Sequence, residues 1–161
     1  RIGRLIAERM SGFGVSVFYH GRQPQDVPYT YAETVQDLAA NADFLVVAVP
    51  GGTETRGLIT AEILDALGPQ GFLVNIARGS VVSTDLLADA LREKRIAGAA
   101  IDVYEGEPVL PDALKAITAN LIVTPHMAGA SVEARAAIEA LMRENLDLHF
   151  AGKPVITPVP R

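Results

Sequence analysis

The sequence contains no cysteine and no tryptophan, and aromatic residues make up only 6% of its 161 positions. The absence of cysteine excludes disulfides and thiolate metal sites, and it suits a reducing compartment. No apolar run in the chain approaches the ~20 residues needed to cross a bilayer, and no signal-peptide pattern opens it. We therefore expect a cytoplasmic protein that has no membrane partner and binds no metal.

The chain also lacks an excess of positive charge. Lysine and arginine total 14 against 19 acidic residues, which gives a formal net charge of −5. A nucleic-acid partner is not expected, because proteins that bind one use clustered cations to displace counterions from phosphates. Hydrophobic residues make up 49% of the chain, enough to build a core. The length indicates about one domain, at roughly 100–200 residues per domain.

Strand and helix signals alternate along the chain. Apolar runs bounded by glycine and proline predict strands at residues 15–19, 43–49, 72–77, 98–103 and 121–124. The run at 43–49 is nearly continuous, which is typical of a strand covered on both faces. Helical spacing predicts helices at residues 2–13, 34–42, 61–67, 84–94 and 132–150.

The alternation of these elements predicts an α/β fold, a doubly wound parallel sheet with helices on both sides. Ser83 or Thr84 is expected to cap the fourth helix, and Ser131 is expected to cap the last one. In such sheets ligands bind beyond the carboxyl ends of the strands. The loops that follow the predicted strands are therefore the candidate functional segments.

Three of these loops carry reactive side chains. Arg78 directly follows a buried strand, where a guanidinium can hold a planar carboxylate through two parallel hydrogen bonds. A lone arginine is more often simply solvated, and each of the acids Asp102, Glu105 and Glu107, taken singly, is more often a surface acid or a helix cap. His126 follows a proline and precedes small residues that let a ligand approach. Taken singly, such a histidine is more often structural than catalytic.

Jointly, a cation, a carboxylate and an imidazole at successive strand ends are what the reduction of a 2-oxo acid needs. The cation holds the substrate carboxylate and polarises the carbonyl, while the imidazolium donates a proton as hydride arrives. Histidine is the natural proton donor at neutral pH, since its ordinary pKa is near 6.5, and a neighbouring carboxylate raises that pKa.

Three segments, residues 75–79, 102–108 and 124–129, resemble the signature blocks of the D-isomer-specific 2-hydroxyacid dehydrogenases. Within that family the chain looks most like the glyoxylate/hydroxypyruvate reductases. The resemblance implies a Rossmann-type fold, hydride transfer between NADP(H) or NAD(H) and a small 2-oxo acid, and a homodimer. It further implies that Arg78 binds the substrate carboxylate, that His126 is the general acid/base, and that Glu107 pairs with His126. Glu105 is then expected to be a surface acid.

The resemblance also implies a set of cofactor contacts. Asp102 would accept a hydrogen bond from the nicotinamide carboxamide. The Thr55 hydroxyl would lie near a ribose, although a turn or helix-cap role is equally compatible with its position. The remaining residues that would line the nicotinamide pocket are Ile76, Ala77 and Gly129, with Val49 and Pro50 at its border.

The start of the chain matches only part of a family motif. Arg1, Ile2 and Gly3 correspond to the last three positions of Gly-x-Gly-x-Ile-Gly, and the third glycine allows close helix packing. The resemblance thus implies that the first strand and two glycines lie outside this sequence. It divides the chain into a dinucleotide-binding domain at residues 1–130 and a segment at 131–161 that returns to a substrate domain.

The residues that follow the strand predicted at 15–19 indicate which nicotinamide cofactor is preferred. An NAD enzyme usually has an acidic residue there, which bonds the adenosine ribose and repels a 2′-phosphate. This chain has His20, Gly21 and Arg22 instead, so we expect Arg22 to pair with a 2′-phosphate and NADP to be preferred over NAD. The alternative is that Arg22 is an exposed turn residue.

Two other functions fit parts of the pattern. An NAD-dependent D-3-phosphoglycerate-type dehydrogenase would favour an acid at the position of His20, and the sequence has none there. A nucleotide-sensing module, like the corepressors on the same fold, could keep the cofactor residues and even the three reactive side chains. Turnover with a 2-oxo acid distinguishes an enzyme from such a module.

Overall fold

The computed structural model describes residues 2–158, where strands and helices alternate as the sequence predicts except that the first two strands follow each other directly. The strands are β1 (Phe18–Tyr19), β2 (Thr30–Tyr31), β3 (Phe44–Val47), β4 (Phe72–Asn75), β5 (Gly98–Ile101) and β6 (Leu121–Val123). The helices are α1 (Ile2–Ser11), α2 (Val35–Ala40), α3 (Ala61–Leu67), α4 (Thr84–Arg92), α5 (Asp112–Lys115) and α6 (Val132–Phe150). The predicted contact of Arg1 lies outside the described residues.

Every strand pair in the structure is parallel, which confirms the predicted parallel α/β fold. β3, β4, β5 and β6 form one sheet in that order, and β1 pairs with β2 in a separate two-stranded sheet. In the larger sheet, Val47, Asn75, Ile101 and Val123 lie side by side in register. The loops that follow these four residues therefore leave the sheet at the same edge.

The core lies on one face of the four-stranded sheet, under α3 and α4. Leu64 of α3, Leu73 of β4 and Leu91 of α4 are almost completely buried there, as is Ile96 before β5. Burying one such side chain contributes about 1.5–3 kcal/mol relative to leaving it in water. This packing holds the strand ends, and the loops attached to them, in fixed positions.

The opposite face of β3 is open, so the prediction that this strand is covered on both faces is wrong. Phe44 is 61% exposed and stacks on Phe72 of the neighbouring strand, with the ring centroids 5.2 Å apart. Val46 is also exposed. The reason is that α1 has no buried residue, and no described element covers these side chains.

The first strand is shorter than predicted, and its partner was not predicted at all. Residues 15–19 reduce to Phe18–Tyr19, because the parallel partner Thr30–Tyr31 is only two residues long. A strand as short as Thr30–Tyr31, which follows polar and proline residues, has no periodic pattern that would predict it. Their pairing therefore depends on tertiary contacts that the local sequence does not reveal.

The predicted helix caps are correct at one helix and wrong at another. Ser131 Oγ accepts a hydrogen bond from the Ala134 N–H at 3.1 Å, which confirms the cap of α6. At α4 the Ser83 side chain makes no capping bond, and the Thr84 N–H donates instead to the carboxylate of Glu105 at 3.1 Å. A residue that lies far along the chain therefore caps this helix.

The chain divides into two compact units, one ending at Pro125 and the other starting at His126. The second unit consists of α6 and the segments next to it, and no residue of α6 is fully buried. None of the helices within residues 2–158 combines the length and apolar character needed to cross a membrane.

Candidate active site

The turn after β4 is built around Asn75, whose side chain is 1% exposed. Its Oδ1 accepts a hydrogen bond from the Ala77 N–H at 3.0 Å, and its Nδ2 donates to the Arg78 carbonyl at 3.3 Å. These two bonds fix the backbone that carries Arg78. Sequence analysis missed this role, although a polar residue at the end of the apolar run 72–74 was a usable signal.

The Arg78 side chain is exposed and has no ion-pair partner among residues 2–158. Its Nη1 donates to the Ala77 carbonyl at 2.6 Å. The aliphatic part of the side chain lies against Gly51, where an added Cβ would stand 2.6 Å from Arg78 Cγ. A glycine at position 51 therefore leaves the room that the arginine occupies.

Gly79 joins the turn after β4 to the loop after β5. It is buried, and a Cβ added there would clash with the carbonyl carbon and oxygen of Tyr104 and approach the Glu105 nitrogen at 2.6 Å. The two loops thus touch through their backbones. Any side chain at position 79 would have to push the loop after β5 away from Arg78.

The loop after β5 begins with a buried acid and folds back on itself. Asp102 is 6% exposed and accepts a hydrogen bond from the Thr124 hydroxyl, which follows β6. The Tyr104 N–H donates to Glu107 Oε1 at 2.9 Å, and the Tyr104 hydroxyl donates to the Pro108 carbonyl at 3.2 Å. The backbone after β5 therefore holds the Glu107 carboxylate in a defined place.

A cleft of about 770 Å³ opens beside these loops. Its lining includes Pro50, Arg56, Arg78 and the Glu105–Gly106 segment. The structure therefore brings together the loops after β3, β4 and β5, as their common edge requires. A cleft with cationic side chains in it is suited to an organic anion.

His126 belongs to the second compact unit, so its position relative to Arg78 and Glu107 stays a prediction. Its own backbone is unusual, because its φ is +51° and it is one of two non-glycine residues between 2 and 158 with a positive φ. A residue other than glycine adopts this left-handed conformation at an energetic cost, and such residues cluster at functional sites.

Comparison with known protein families identifies the domain that carries these loops. Residues 1–128 match the model of the D-isomer specific 2-hydroxyacid dehydrogenase NAD-binding domain. The chain belongs to the D-isomer specific 2-hydroxyacid dehydrogenase family. This confirms the resemblance drawn from the loop segments.

Named relatives of this dehydrogenase chain agree with the family. It is 43% identical to hydroxyphenylpyruvate reductase of Plectranthus scutellarioides and 44% identical to a glyoxylate/hydroxypyruvate reductase of Arabidopsis thaliana. Each of these matches covers 99% of this chain and 51% of the relative. An NADPH-dependent glyoxylate/hydroxypyruvate reductase of Sinorhizobium meliloti, solved with NADP and malonate, superposes with a TM-score of 0.93 at 43% identity. That match covers 98% of this chain and 50% of the solved one. The chain thus spans about half the length of these relatives.

The predicted cofactor contacts lie in several parts of the chain, and only some of them follow strand ends. The Thr55 hydroxyl donates to the Pro50 carbonyl at 2.7 Å, so in this structure it has the turn role that the sequence left open. Gly3 lies in α1, and an added Cβ would meet Ala48 Cβ at 3.9 Å, an ordinary contact. The close packing expected to require glycine at position 3 is therefore not observed. Ile2, the neighbouring motif residue, is 61% exposed.

The remaining predicted contacts are distributed between the two units. Val49, Pro50, Ile76 and Ala77 lie immediately after β3 and β4, and Ala77 is buried. Gly129 lies in the second unit and is exposed.

The loop after β1 is held by aromatic and polar contacts. The Tyr31 hydroxyl donates to the Gly21 carbonyl at 3.2 Å, and the His20 ring stacks on Tyr31 and forms a 2.9 Å hydrogen bond with the Ala32 carbonyl oxygen. Arg22 is exposed and has no ion pair within the described chain. A fixed loop with an available guanidinium fits a nucleotide phosphate.

Proposed function

We propose that the whole protein reduces a small 2-oxo acid to the D-2-hydroxy acid with NADPH, as a glyoxylate or hydroxypyruvate reductase. The observation that carries the proposal is the Arg78 turn. Asn75 fixes the backbone of Arg78, Gly51 leaves room for its aliphatic chain beside the cleft, and no acid within residues 2–158 forms an ion pair with its guanidinium. A charge kept available in this way is suited to the carboxylate that every 2-oxo acid carries.

The chemistry divides among three side chains of this chain. Arg78 holds the substrate carboxylate and orients the adjoining carbonyl. His126, as the imidazolium, gives a proton to the carbonyl oxygen, and Glu107 stabilises that imidazolium. When bound, NADPH supplies the hydride that adds to the carbonyl carbon. Hydride and proton together convert the carbonyl to a hydroxyl group.

The preference for NADPH is proposed on the loop after β1. Arg22 carries an exposed guanidinium, and the sequence from His20 to Gln23 offers no acid to bond the ribose diol. The Sinorhizobium meliloti relative is NADPH-dependent and was solved with NADP. A guanidinium favours a 2′-phosphate through charge-assisted hydrogen bonds.

Replacing Arg22 by glutamate is expected to raise KM for NADPH by at least about tenfold and to leave KM for NADH within about twofold. The substitution removes one charge-assisted contact with the 2′-phosphate and adds one repulsion, which together correspond to about 1.5–3 kcal/mol. Steady-state kinetics with both cofactors measure this. Arg9→Glu on α1, an equally exposed arginine, is the matched control. Equal KM values for NADPH and NADH in the unchanged protein would contradict the assignment.

The domain arrangement and assembly belong to the same proposal. We infer that residues 1–130 form the dinucleotide-binding domain and that 131–161 leads to a substrate domain in the whole protein. A homodimer would cover apolar side chains such as Leu5 of α1, which is 49% exposed. The lack of cysteine supports a cytoplasmic location.

The direct test is NADPH oxidation by the full-length protein, followed by absorbance with a panel of 2-oxo acids. We expect turnover with glyoxylate and hydroxypyruvate. Binding of NADPH without turnover of any 2-oxo acid would indicate a nucleotide-sensing module instead. Faster oxidation of 3-phosphoglycerate with NAD than reduction of any of these acids would support the phosphoglycerate-type alternative.

A further inference from the structure

Glu105 is exposed, yet its carboxylate makes a specific contact with the backbone of α4. Its Oε2 accepts a hydrogen bond from the backbone N–H of Thr84, 21 residues earlier, at the first residue of α4. The first N–H groups of a helix have no partner within the helix, and a carboxylate there is favoured by both hydrogen bonding and the helix dipole. The adjacent Ser83 side chain makes no capping hydrogen bond, so it does not compete with Glu105 for the helix N-terminus.

This contact fixes one end of the segment that carries Glu107. On the other side of Glu105, the Tyr104 N–H binds the Glu107 carboxylate at 2.9 Å, and the Tyr104 hydroxyl binds the Pro108 carbonyl at 3.2 Å. The Tyr104 carbonyl also packs on the backbone of Gly79. Glu105 is therefore the side chain that attaches this segment to α4, while Tyr104 and Gly79 attach it to the Arg78 turn.

We propose that Glu105 is a positioning residue, which anchors the 104–108 segment on the N-terminus of α4 and so sets the place of the Glu107 carboxylate. The inference rests on the proposed function, in which Glu107 orients and stabilises the proton donor. Glu105 itself lines the cleft, but its carboxylate is engaged by Thr84. Without this anchor, Gly106, which has a positive φ of 83°, gives the segment a flexible point directly before Glu107.

The test compares substitutions at Glu105 in the full-length protein. Glu105→Ala is expected to lower kcat for glyoxylate by about tenfold, because misplacement of a catalytic group by about 1 Å can cost up to a hundredfold. KM for glyoxylate is expected to stay within about twofold, since Asn75 and Gly51 still hold Arg78. Glu105→Gln is expected to restore most of kcat, because the amide oxygen can still accept the Thr84 N–H. Asp85→Ala, which removes an exposed acid from the same turn of α4, is the matched control.

A double-substitution cycle separates positioning from general structural damage. In a Glu107→Gln background, Glu105→Ala is expected to lower kcat by less than about twofold, because no carboxylate is left to position. An equal tenfold loss in both backgrounds, or no loss of kcat in the single variant, would overturn the inference while leaving the proposed function in place. If Glu107→Gln alone left kcat unchanged, the role of Glu107 in the proposed function would fail, and the inference would fail with it.

Discussion

Replacing His126 by alanine is expected to lower kcat for 2-oxo acid reduction by about 10²–10⁴-fold, the usual contribution of a general acid. The reduction needs a proton at the carbonyl oxygen, and alanine has none to give. The dissociation constant for NADPH is expected to stay within about twofold, since the proposed contacts of His126 are with the substrate. Stopped-flow or steady-state absorbance gives the rate, and cofactor fluorescence titration gives the affinity.

Backbone conformation has to be controlled in this experiment, because His126 has a φ of +51°. Alanine is strained in the left-handed region, whereas asparagine is among the residues that tolerate it. His126→Asn therefore keeps the backbone but cannot act as the proton donor, and it is expected to be as inactive as His126→Ala. His149→Ala, which removes an exposed histidine from α6, should retain full activity. Substantial turnover by His126→Asn would rule out His126 as the acid.

Replacing Arg78 by lysine is expected to raise KM for glyoxylate by at least about tenfold and to change kcat less. Lysine keeps the positive charge but loses the planar pair of donors that matches a carboxylate. The loss of one of two charge-assisted hydrogen bonds corresponds to about 1.5–3 kcal/mol. Initial rates over a wide range of glyoxylate concentration separate the two parameters.

Arg56 provides the control for Arg78, because it is a second arginine that lines the same cleft. Arg56→Lys is expected to leave KM for glyoxylate unchanged. A similar rise in KM for both variants would show that the total positive charge of the cleft, and not the geometry of Arg78, captures the substrate. An unchanged KM in Arg78→Lys would show that the carboxylate is bound elsewhere.

The strands of the larger sheet could be predicted because each is an apolar run with turn residues at its ends. The position of Arg78 followed from the same pattern, since a residue directly after a buried strand must emerge at the sheet edge. The open face of β3 could not be predicted in this way. The residues at 43–49 look the same whether one or both faces are covered, and coverage depends on other segments.

Contacts between distant segments were the main features that the local sequence could not reveal. Ser83 was a reasonable helix cap by residue type, yet Glu105 reaches the same helix from the neighbouring strand end. Asn75 holds the Arg78 turn through two hydrogen bonds that only the folded backbone brings into range. Gly79 is required by the approach of Tyr104, whose backbone lies against it.

In the proposed function Arg78, Glu107 and His126 serve one reaction centre. A crystal structure of the full-length protein with NADPH and an unreactive 2-oxo acid analogue tests it most directly. We expect both carboxylate oxygens of the analogue to bind Arg78. The His126 imidazole is expected to lie about 2.6–3.2 Å from the oxygen at the carbonyl position and to contact Glu107. An analogue bound away from Arg78, or a His126 ring beyond hydrogen-bond reach of the analogue in that complex, would rule out a shared reaction centre.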